Sequence, residues 1–269
     1  MNELLEVCIL SAAQGVAEFL PVSSSGHLLV LGNWFGFDAE KSMLLNVILH
    51  AGTLLAIVIF YFKRLLSILL DRQRRRLIAL VIIGSVPAAA VGITLKALHL
   101  EEKLFSSPYV AALGFAITGT MLFTVFRKKE EAPDAVVAEN MSFRQALLIG
   151  LAQAVAITPG ISRSGSTISC GVLAKLRKAD AAEFSFLLAI PAIGGAALLE
   201  VLDMVKSANT VAANELLPVI VGFAVSAAVG YFSLAGLIKL LKKGRLDCFA
   251  YYLFTAAVIT AVMETIKLF

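Results

Sequence analysis

Residues 14–27 read QGVAEFLPVSSSGH and lie inside an apolar stretch that runs from residue 4 to residue 38. A second apolar stretch, residues 145–175, is interrupted in the same way by PGISRSGST at residues 159–167. Each half is too short to cross a bilayer core of about 30 Å. We therefore predict two helix–loop–helix hairpins that enter the membrane and leave on the same side. Non-helical backbone survives at that depth only inside protein or beside a wet cavity, so these interruptions are the candidate sites.

The rest of the chain is apolar enough to be embedded in a bilayer. Of its 269 residues, 59% are hydrophobic and 16% are charged, whereas a soluble domain carries about 25% charged residues. Apolar runs without the period-2 alternation of barrel strands predict membrane-spanning helices. We expect six of them, at about residues 44–62, 77–97, 109–126, 181–200, 216–238 and 248–267. The predicted fold is an all-α, polytopic integral membrane protein with a single domain, residues 1–269.

The basic residues predict the orientation of these helices. Lys and Arg favour the cytoplasmic side of membrane proteins. Four patches contain 17 of the 23 basic residues, and they are residues 63–76, 127–144, 175–178 and 239–245. If all four patches are cytoplasmic, every predicted span has a consistent direction. Both termini then lie outside, the first hairpin enters from outside, and the second enters from the cytoplasm.

An internal repeat accounts for this pattern. A shift of 139 residues places Gln14 on Gln153, and Ser23 and Gly26 on Ser162 and Gly165. The matches predict two repeats, residues 1–127 and 141–269, joined by a polar loop. Each repeat has one hairpin and three spans, and three is odd, so the second repeat is expected to be inverted. Inverted repeats with broken helices commonly hold a site near the midplane where the halves meet.

The first interruption contains groups suited to acid–base chemistry. Gln14 and Glu18 are four residues apart and share one helix face. An ionisable residue inside a membrane segment is costly and usually functional, although Glu18 could also pair with Arg163 only for packing. His27 lies three residues beyond Ser24 and could activate its hydroxyl. The alternative is a histidine that caps a half-helix. His50 and His99 are expected to be packing or surface residues.

The second interruption predicts an anion site. Arg163 is flanked by Ser162, Ser164, Ser166 and Thr167. A guanidinium presents a rigid set of donors that suits phosphate oxygens. A Gly-containing turn before a helix adds free backbone N–H groups and the positive end of a helix dipole. Close packing of membrane helices also favours Ser and Gly, so the motif alone leaves both explanations open.

Four segments resemble the bacterial undecaprenyl-pyrophosphate phosphatase family associated with bacitracin resistance, and they are residues 14–27, 51–56, 159–167 and 183–191. The length and helix order match over essentially the whole chain. The resemblance implies a phosphatase of the bacterial cytoplasmic (inner) membrane whose active site faces outward. It also implies the reaction, release of phosphate from the C55 isoprenoid pyrophosphate. That reaction regenerates the carrier lipid for peptidoglycan synthesis.

The resemblance also implies roles for individual residues. Ser24 is the nucleophile or a phosphate contact, His27 the base or an alternative nucleophile, and Arg163 the phosphate clamp. Glu18 helps to hold a divalent cation, Mg²⁺ or Ca²⁺, with Gln14 beside it. The phosphate cradle is completed by Ser23, Ser25, Ser162, Ser164 and Thr167. Many members have Glu where this chain has Gln14. The neutral amide lowers the local negative charge by one. We therefore expect weaker cation binding and do not assign two metals.

A function of another class, a secondary transporter or a lipid flippase for an anionic substrate, fits the same architecture. Inverted re-entrant repeats also occur in secondary transporters, where Arg163 would bind an anion and Glu18 would couple to a cation. The pairing of Ser24 with His27 favours the enzyme, because a transporter does not need it. The expected partners are a polyprenyl pyrophosphate lipid and the bilayer. The net charge of +4 requires no nucleic acid, and a homodimer is left open.

Overall fold

The computed structural model describes residues 3–35, 39–100, 104, 106–127, 132–206 and 216–267. Residues 36–38, at the end of the first predicted hairpin stretch, lie outside this set. So do residues 128–131, which belong to the predicted loop between the repeats and to one basic patch.

The described residues form eleven α-helices, joined by short turns and one 3₁₀ turn at Ala138–Asn140. Apart from an isolated bridge between Val136 and Leu176, these residues contain no β-structure. The helices are α1 Glu3–Phe19, α2 Ser24–Phe35, α3 Ala39–Phe60, α4 Phe62–Leu70, α5 Arg76–Ala97, α6 Pro108–Phe126, α7 Phe143–Val155, α8 Arg163–Leu173, α9 Lys178–Lys206, α10 Leu216–Lys242 and α11 Cys248–Ile266.

The predicted spans correspond to helices of the structure. Five helices, α5, α6, α9, α10 and α11, are long and apolar enough to cross a membrane. The sixth predicted span, residues 44–62, differs from the expectation because the helix breaks at Tyr61. Residues Leu44–Phe60 of α3 and the whole of α4 meet at an angle of 68°, and together they can form the sixth span. The all-α polytopic fold is therefore confirmed.

Both predicted hairpins are broken helices, but the breaks are shorter than expected. The turn between α1 and α2 contains Ser23 at φ +71°, and the turn between α7 and α8 contains Gly160 at φ +85°. Ser24 to His27 and Arg163 to Thr167 are already helical. Ser23 and Ser162 each accept a backbone N–H of the following turn, and serine caps of this kind allow a helix to begin at once. That both hairpins are re-entrant stays a prediction.

Two helix pairs occupy corresponding positions in the two halves of the chain. Helix α1 packs on α10, and α7 packs on α5. In the second pair Gly150 lies against the backbone of Gly84, and in the first pair Gly222 lies against Ser11. The shift of 139 residues relates Gly150 to Ser11, and a shift of 138 relates Gly84 to Gly222. Small residues let helix backbones approach closely where lipid supplies no hydrophobic driving force.

The described part of the segment between the halves, residues 132–140, contacts both halves through an ion pair and a hydrogen bond. Arg64 of α4 contacts the carboxylates of Glu139 and Glu183. Asp180 of α9 accepts a hydrogen bond of 2.9 Å from the backbone N–H of Ala138. Burial alone would raise the pKa of the Glu139 carboxyl, but its hydrogen bond with Arg64 holds that pKa below the ordinary value. The 3₁₀ turn is therefore anchored to both halves.

We expect Gly150→Ala to lower the thermal stability of the detergent-solubilised protein, because a Cβ there would overlap the Gly84 carbonyl. Overpacking of this kind costs about 1–3 kcal/mol. Gly236→Ala on α10 is the control, since a Cβ at Gly236 meets nothing within 4 Å. The measurement is the unfolding temperature of both variants. Equal temperatures for the two would contradict the packing of α7 on α5.

Candidate active site

Glu18 is the centre toward which both broken hairpins converge. Its side chain is buried near the end of α1 and accepts three hydrogen bonds. Ser24 Oγ donates to Oε2 over 2.7 Å, and Gln14 Nε2 donates to the same oxygen over 3.1 Å. Arg163 Nη2 donates to Oε1 over 2.5 Å and forms an ion pair. One carboxylate thus joins the first hairpin to the second.

The turn before α2 brings Ser24 to Glu18. Ser23 adopts the left-handed conformation, which a residue with a side chain rarely occupies. This turn reverses the chain so that the first residue of α2 reaches back to the last turn of α1. Ser23 Oγ accepts a hydrogen bond from the Gly26 N–H over 3.3 Å. Two serines of the motif therefore have different tasks, since Ser23 shapes the turn and Ser24 presents its hydroxyl.

His27 is held away from Ser24. Its Nδ1 lies 2.7 Å from the Ser23 carbonyl oxygen, and its Nε2 lies 2.6 Å from the Tyr252 hydroxyl. Because a carbonyl only accepts, Nδ1 carries the hydrogen and Nε2 accepts from Tyr252. The structure thus places Glu18, and not His27, on the Ser24 hydroxyl. The base role of His27 stays a prediction.

The second turn is built around Thr118 of α6. Thr118 Oγ1 donates to the Gly160 carbonyl over 3.1 Å and accepts from the Ser162 N–H over 3.0 Å. Ser162 Oγ in turn accepts from the Gly165 N–H over 3.1 Å at the start of α8. Thr118 is completely buried. It gave no signal in the sequence, because a single Thr in an apolar span is ordinary.

Arg163 is positioned by α9 as well as by Glu18. Its Nη1 lies 3.5 Å from the Ser185 carbonyl oxygen. Ser185 Oγ lies 2.5 Å from Thr167 Oγ1, which also donates to the Arg163 carbonyl over 2.7 Å. A guanidinium has five N–H donors, and these contacts use two of them. The remaining donors are suited to an anion.

The two turns pack directly against each other. A Cβ on Gly26 would lie 2.8 Å from Gly160 Cα, and Ser164 Oγ donates to the Leu20 carbonyl over 3.3 Å. The N-termini of α2 and α8 therefore lie close together. The first N–H groups of each helix have no acceptor within the helix and carry partial positive charge. With Arg163 beside them and a single carboxylate nearby, this arrangement favours a bound anion.

The predicted phosphate-cradle serines differ in exposure. Ser162, Ser164 and Thr167 are buried, and their hydroxyls already bond within the protein. Ser23 is also buried, whereas Ser25 is half-buried with its hydroxyl 3.4 Å from that of Ser23. The buried hydroxyls therefore shape the two turns, and Ser24 and Ser25 are the more open ones.

Few of the described residues near the site could serve as ligands of a cation. Gln14 Oε1 is buried and has no hydrogen-bond partner among the described residues, and it belongs to the side chain that contacts Glu18. The described residues contain no group of three His, Cys, Asp or Glu side chains placed to hold a metal. Mg²⁺ is commonly bound by one or two protein oxygens, with water and substrate phosphate as its other ligands. Gln14 and Glu18 fit that kind of site.

Three residues near the site were not singled out from the sequence. Besides Thr118, they are Ser185 and Tyr252. Ser185 belongs to the segment 183–191 that carries part of the resemblance, so a signal for it was present. Tyr252 lies in an ordinary apolar helix, and only the folded structure brings it to His27.

Comparison of the sequence with known proteins identifies its family. The family model described as bacitracin resistance protein BacA matches residues 7–259. The undecaprenyl-diphosphatase of Rhodopirellula baltica is 40% identical, covering 98% of this chain and 99% of that protein. The undecaprenyl-diphosphatase of Carboxydothermus hydrogenoformans is 39% identical, covering 96% and 97%. Undecaprenyl-diphosphatase 1 of Bacillus anthracis is 36% identical, covering 97% and 98%.

The Glu18–Arg163 pair gives a prediction about stability. Arg163→Gln leaves a buried carboxylate without its cation, a change that costs about 3–5 kcal/mol. We expect the unfolding temperature to fall markedly. Adding Glu18→Gln removes the unpaired charge, so the double variant recovers a large part of the loss. Thermal unfolding of the single and double variants measures this coupling, and losses that simply add would show that the pair is not coupled.

Proposed function

This chain belongs to the bacitracin resistance protein BacA family, and from that premise we propose that it is an undecaprenyl-diphosphatase with Ser24, Glu18 and Arg163 at its active centre. The substrate is undecaprenyl diphosphate, and the products are undecaprenyl phosphate and inorganic phosphate. The observation that supports this site is that the Arg163 guanidinium and the Ser24 hydroxyl, each on the first residue of a helix, contact the same carboxylate. Phosphoryl transfer needs charge neutralisation and an aligned nucleophile.

Binding of the terminal phosphate uses the positive groups of the site. The Arg163 donors that are not engaged by Glu18 or Ser185 bond to the phosphate oxygens, as do the N-terminal N–H groups of α8. Ser25 contacts the phosphate from the α2 side. The lipid tail extends into the surrounding bilayer, because the site is built into helices whose outer faces are apolar.

The transfer step uses the contact between Ser24 and Glu18. Ser24 Oγ attacks the terminal phosphorus, an O–P bond forms, and the bridging P–O bond breaks to release undecaprenyl phosphate. The serine proton passes to Glu18, which lies 2.7 Å from that hydroxyl. Water then attacks the phosphoserine. Glu18 returns its proton to Ser24 Oγ as the O–P bond breaks, and the proton lost by water leaves with inorganic phosphate.

A divalent cation, Mg²⁺ or Ca²⁺, would be held by Glu18 and Gln14 Oε1 and would neutralise further phosphate charge. The unpartnered Gln14 oxygen supports this assignment. The neutral amide supplies less charge than a carboxylate would, so the proposed site binds its cation weakly.

The protein lies in a membrane, and the family is consistent with the bacterial inner membrane. We propose that the active site faces the outer side and that both termini lie outside. The position of the basic patches supports this orientation. A transporter for an anionic substrate is not favoured, because the similar proteins are named as diphosphatases.

The nucleophile is tested with purified protein in detergent, by measuring phosphate release from undecaprenyl diphosphate. We expect Ser24→Ala to lower turnover at least about 10³-fold, as loss of a nucleophile does in other enzymes. Ser85→Ala is the control, because the Ser85 hydroxyl donates to the Val81 carbonyl of its own helix. An acid-stable phosphoenzyme is expected in a quenched reaction with labelled substrate. Near-normal turnover of Ser24→Ala, or an acid-labile phosphohistidine at His27, would contradict the serine mechanism.

The proposed cation requirement is tested by adding one carboxylate to the site. Gln14→Glu raises the negative charge beside Glu18, and ligand charge tunes the affinity for hard cations. We expect the Mg²⁺ concentration for half-maximal activity to fall about tenfold. Chelation should abolish the activity of both proteins. Activity that is indifferent to chelation would remove the cation from the proposal.

A further inference from the structure

Tyr252 connects the last helix to the first turn of the site. Its hydroxyl lies 2.6 Å from His27 Nε2, although the two residues are 225 positions apart. The phenol and imidazole rings are nearly parallel, with an interplanar angle of 8° and centroids 5.6 Å apart. Phe115 packs on the same imidazole from α6, with centroids 4.9 Å apart. The position of the imidazole is therefore fixed by aromatic groups of two other helices.

Tyr252, His27 and Ser23 are joined by a chain of two hydrogen bonds. Tyr252 donates to Nε2, and Nδ1 donates to the Ser23 carbonyl over 2.7 Å. Ser23 has a left-handed backbone conformation, which costs about 1–2 kcal/mol for a residue other than glycine. Such a conformation persists only where surrounding contacts maintain it. His27 supplies one of these contacts, and Tyr252 orients His27.

We propose that Tyr252 is a positioning residue that acts through His27 to hold the Ser23 turn and thereby keeps the Ser24 hydroxyl on Glu18. The inference rests on the proposed function, and it adds α11 to the elements that build the site. Tyr252 touches neither Ser24 nor Glu18 in the described structure. Its effect on the reaction is therefore indirect, through the conformation of residues 23–24.

The chain offers a matched control in the neighbouring residue. Tyr251 is also a tyrosine on α11, but its ring packs on Phe123 with centroids 6.1 Å apart. Tyr251→Phe and Tyr252→Phe each remove one hydroxyl from the same helix. Only the second removes a hydrogen bond to His27.

The experiment compares phosphate release and unfolding temperature for these two variants of the full-length protein. We expect Tyr252→Phe to lower kcat about tenfold, the effect of one lost hydrogen bond on the reacting geometry, with KM within about twofold of wild type. Tyr251→Phe should match the wild type, and both variants should keep the wild-type unfolding temperature. A rise in KM alone would place Tyr252 in contact with substrate, and wild-type kinetics for Tyr252→Phe would overturn the inference.

A double-mutant cycle tests whether the effect passes through His27. In a His27→Ala background, Tyr252→Phe should produce no further loss, because the acceptor is already absent. Two losses that add would overturn the inference. Amide hydrogen exchange of residues 20–27 gives a readout independent of catalysis, and it should be faster in Tyr252→Phe than in Tyr251→Phe. If the wild type releases no phosphate, the proposed function fails, and the exchange comparison still decides the role of Tyr252.

Discussion

A carboxylate and a guanidinium are costly to place among apolar helices, and the cost is lowered when each neutralises the other. Glu18 and Arg163 do this across 145 positions of sequence. Their contact requires that α1 end close to the start of α8, which in turn requires two breaks in helices that would otherwise continue. The turns at Ser23 and Gly160, the small residues between them and the Thr118 hydroxyl all serve that requirement. The two turns and this ion pair therefore form one connected arrangement.

The same pair is central to the proposed chemistry. Glu18 contacts Ser24 through one oxygen and Arg163 through the other, so in the proposed mechanism the attacking hydroxyl and the guanidinium that binds phosphate are held in place before substrate arrives. Preorganised groups of this kind need little rearrangement when charge moves in the transition state. Two of the Arg163 donors are engaged by Glu18 and Ser185, and the remaining ones are suited to phosphate oxygens.

The sequence predicted the helices and the two interrupted segments, because apolar length and buried polar residues are local signals. It offered the pairing of Glu18 with Arg163 only as the alternative in which Glu18 serves packing. It did not predict the break at Tyr61, since no Pro or Gly stands there. It also paired Ser24 with His27 from their spacing, whereas the left-handed turn at Ser23 sends Ser24 to Glu18 and His27 to Tyr252. Thr118 and Tyr252 depend on contacts between distant helices, which no short motif records.

The separation of Glu18 from Arg163 also has a consequence during synthesis. A ribosome adds about 5–20 residues per second, so Arg163 is made on the order of ten seconds after Glu18. Throughout that interval the guanidinium that pairs with Glu18 in the folded protein has not been made. An unpaired carboxylate is costly inside a bilayer, and during that interval Gln14 and Ser24 of the first half are available as its hydrogen-bond partners. The first hairpin therefore gains its ion pair only after Arg163, in the second half, has been made.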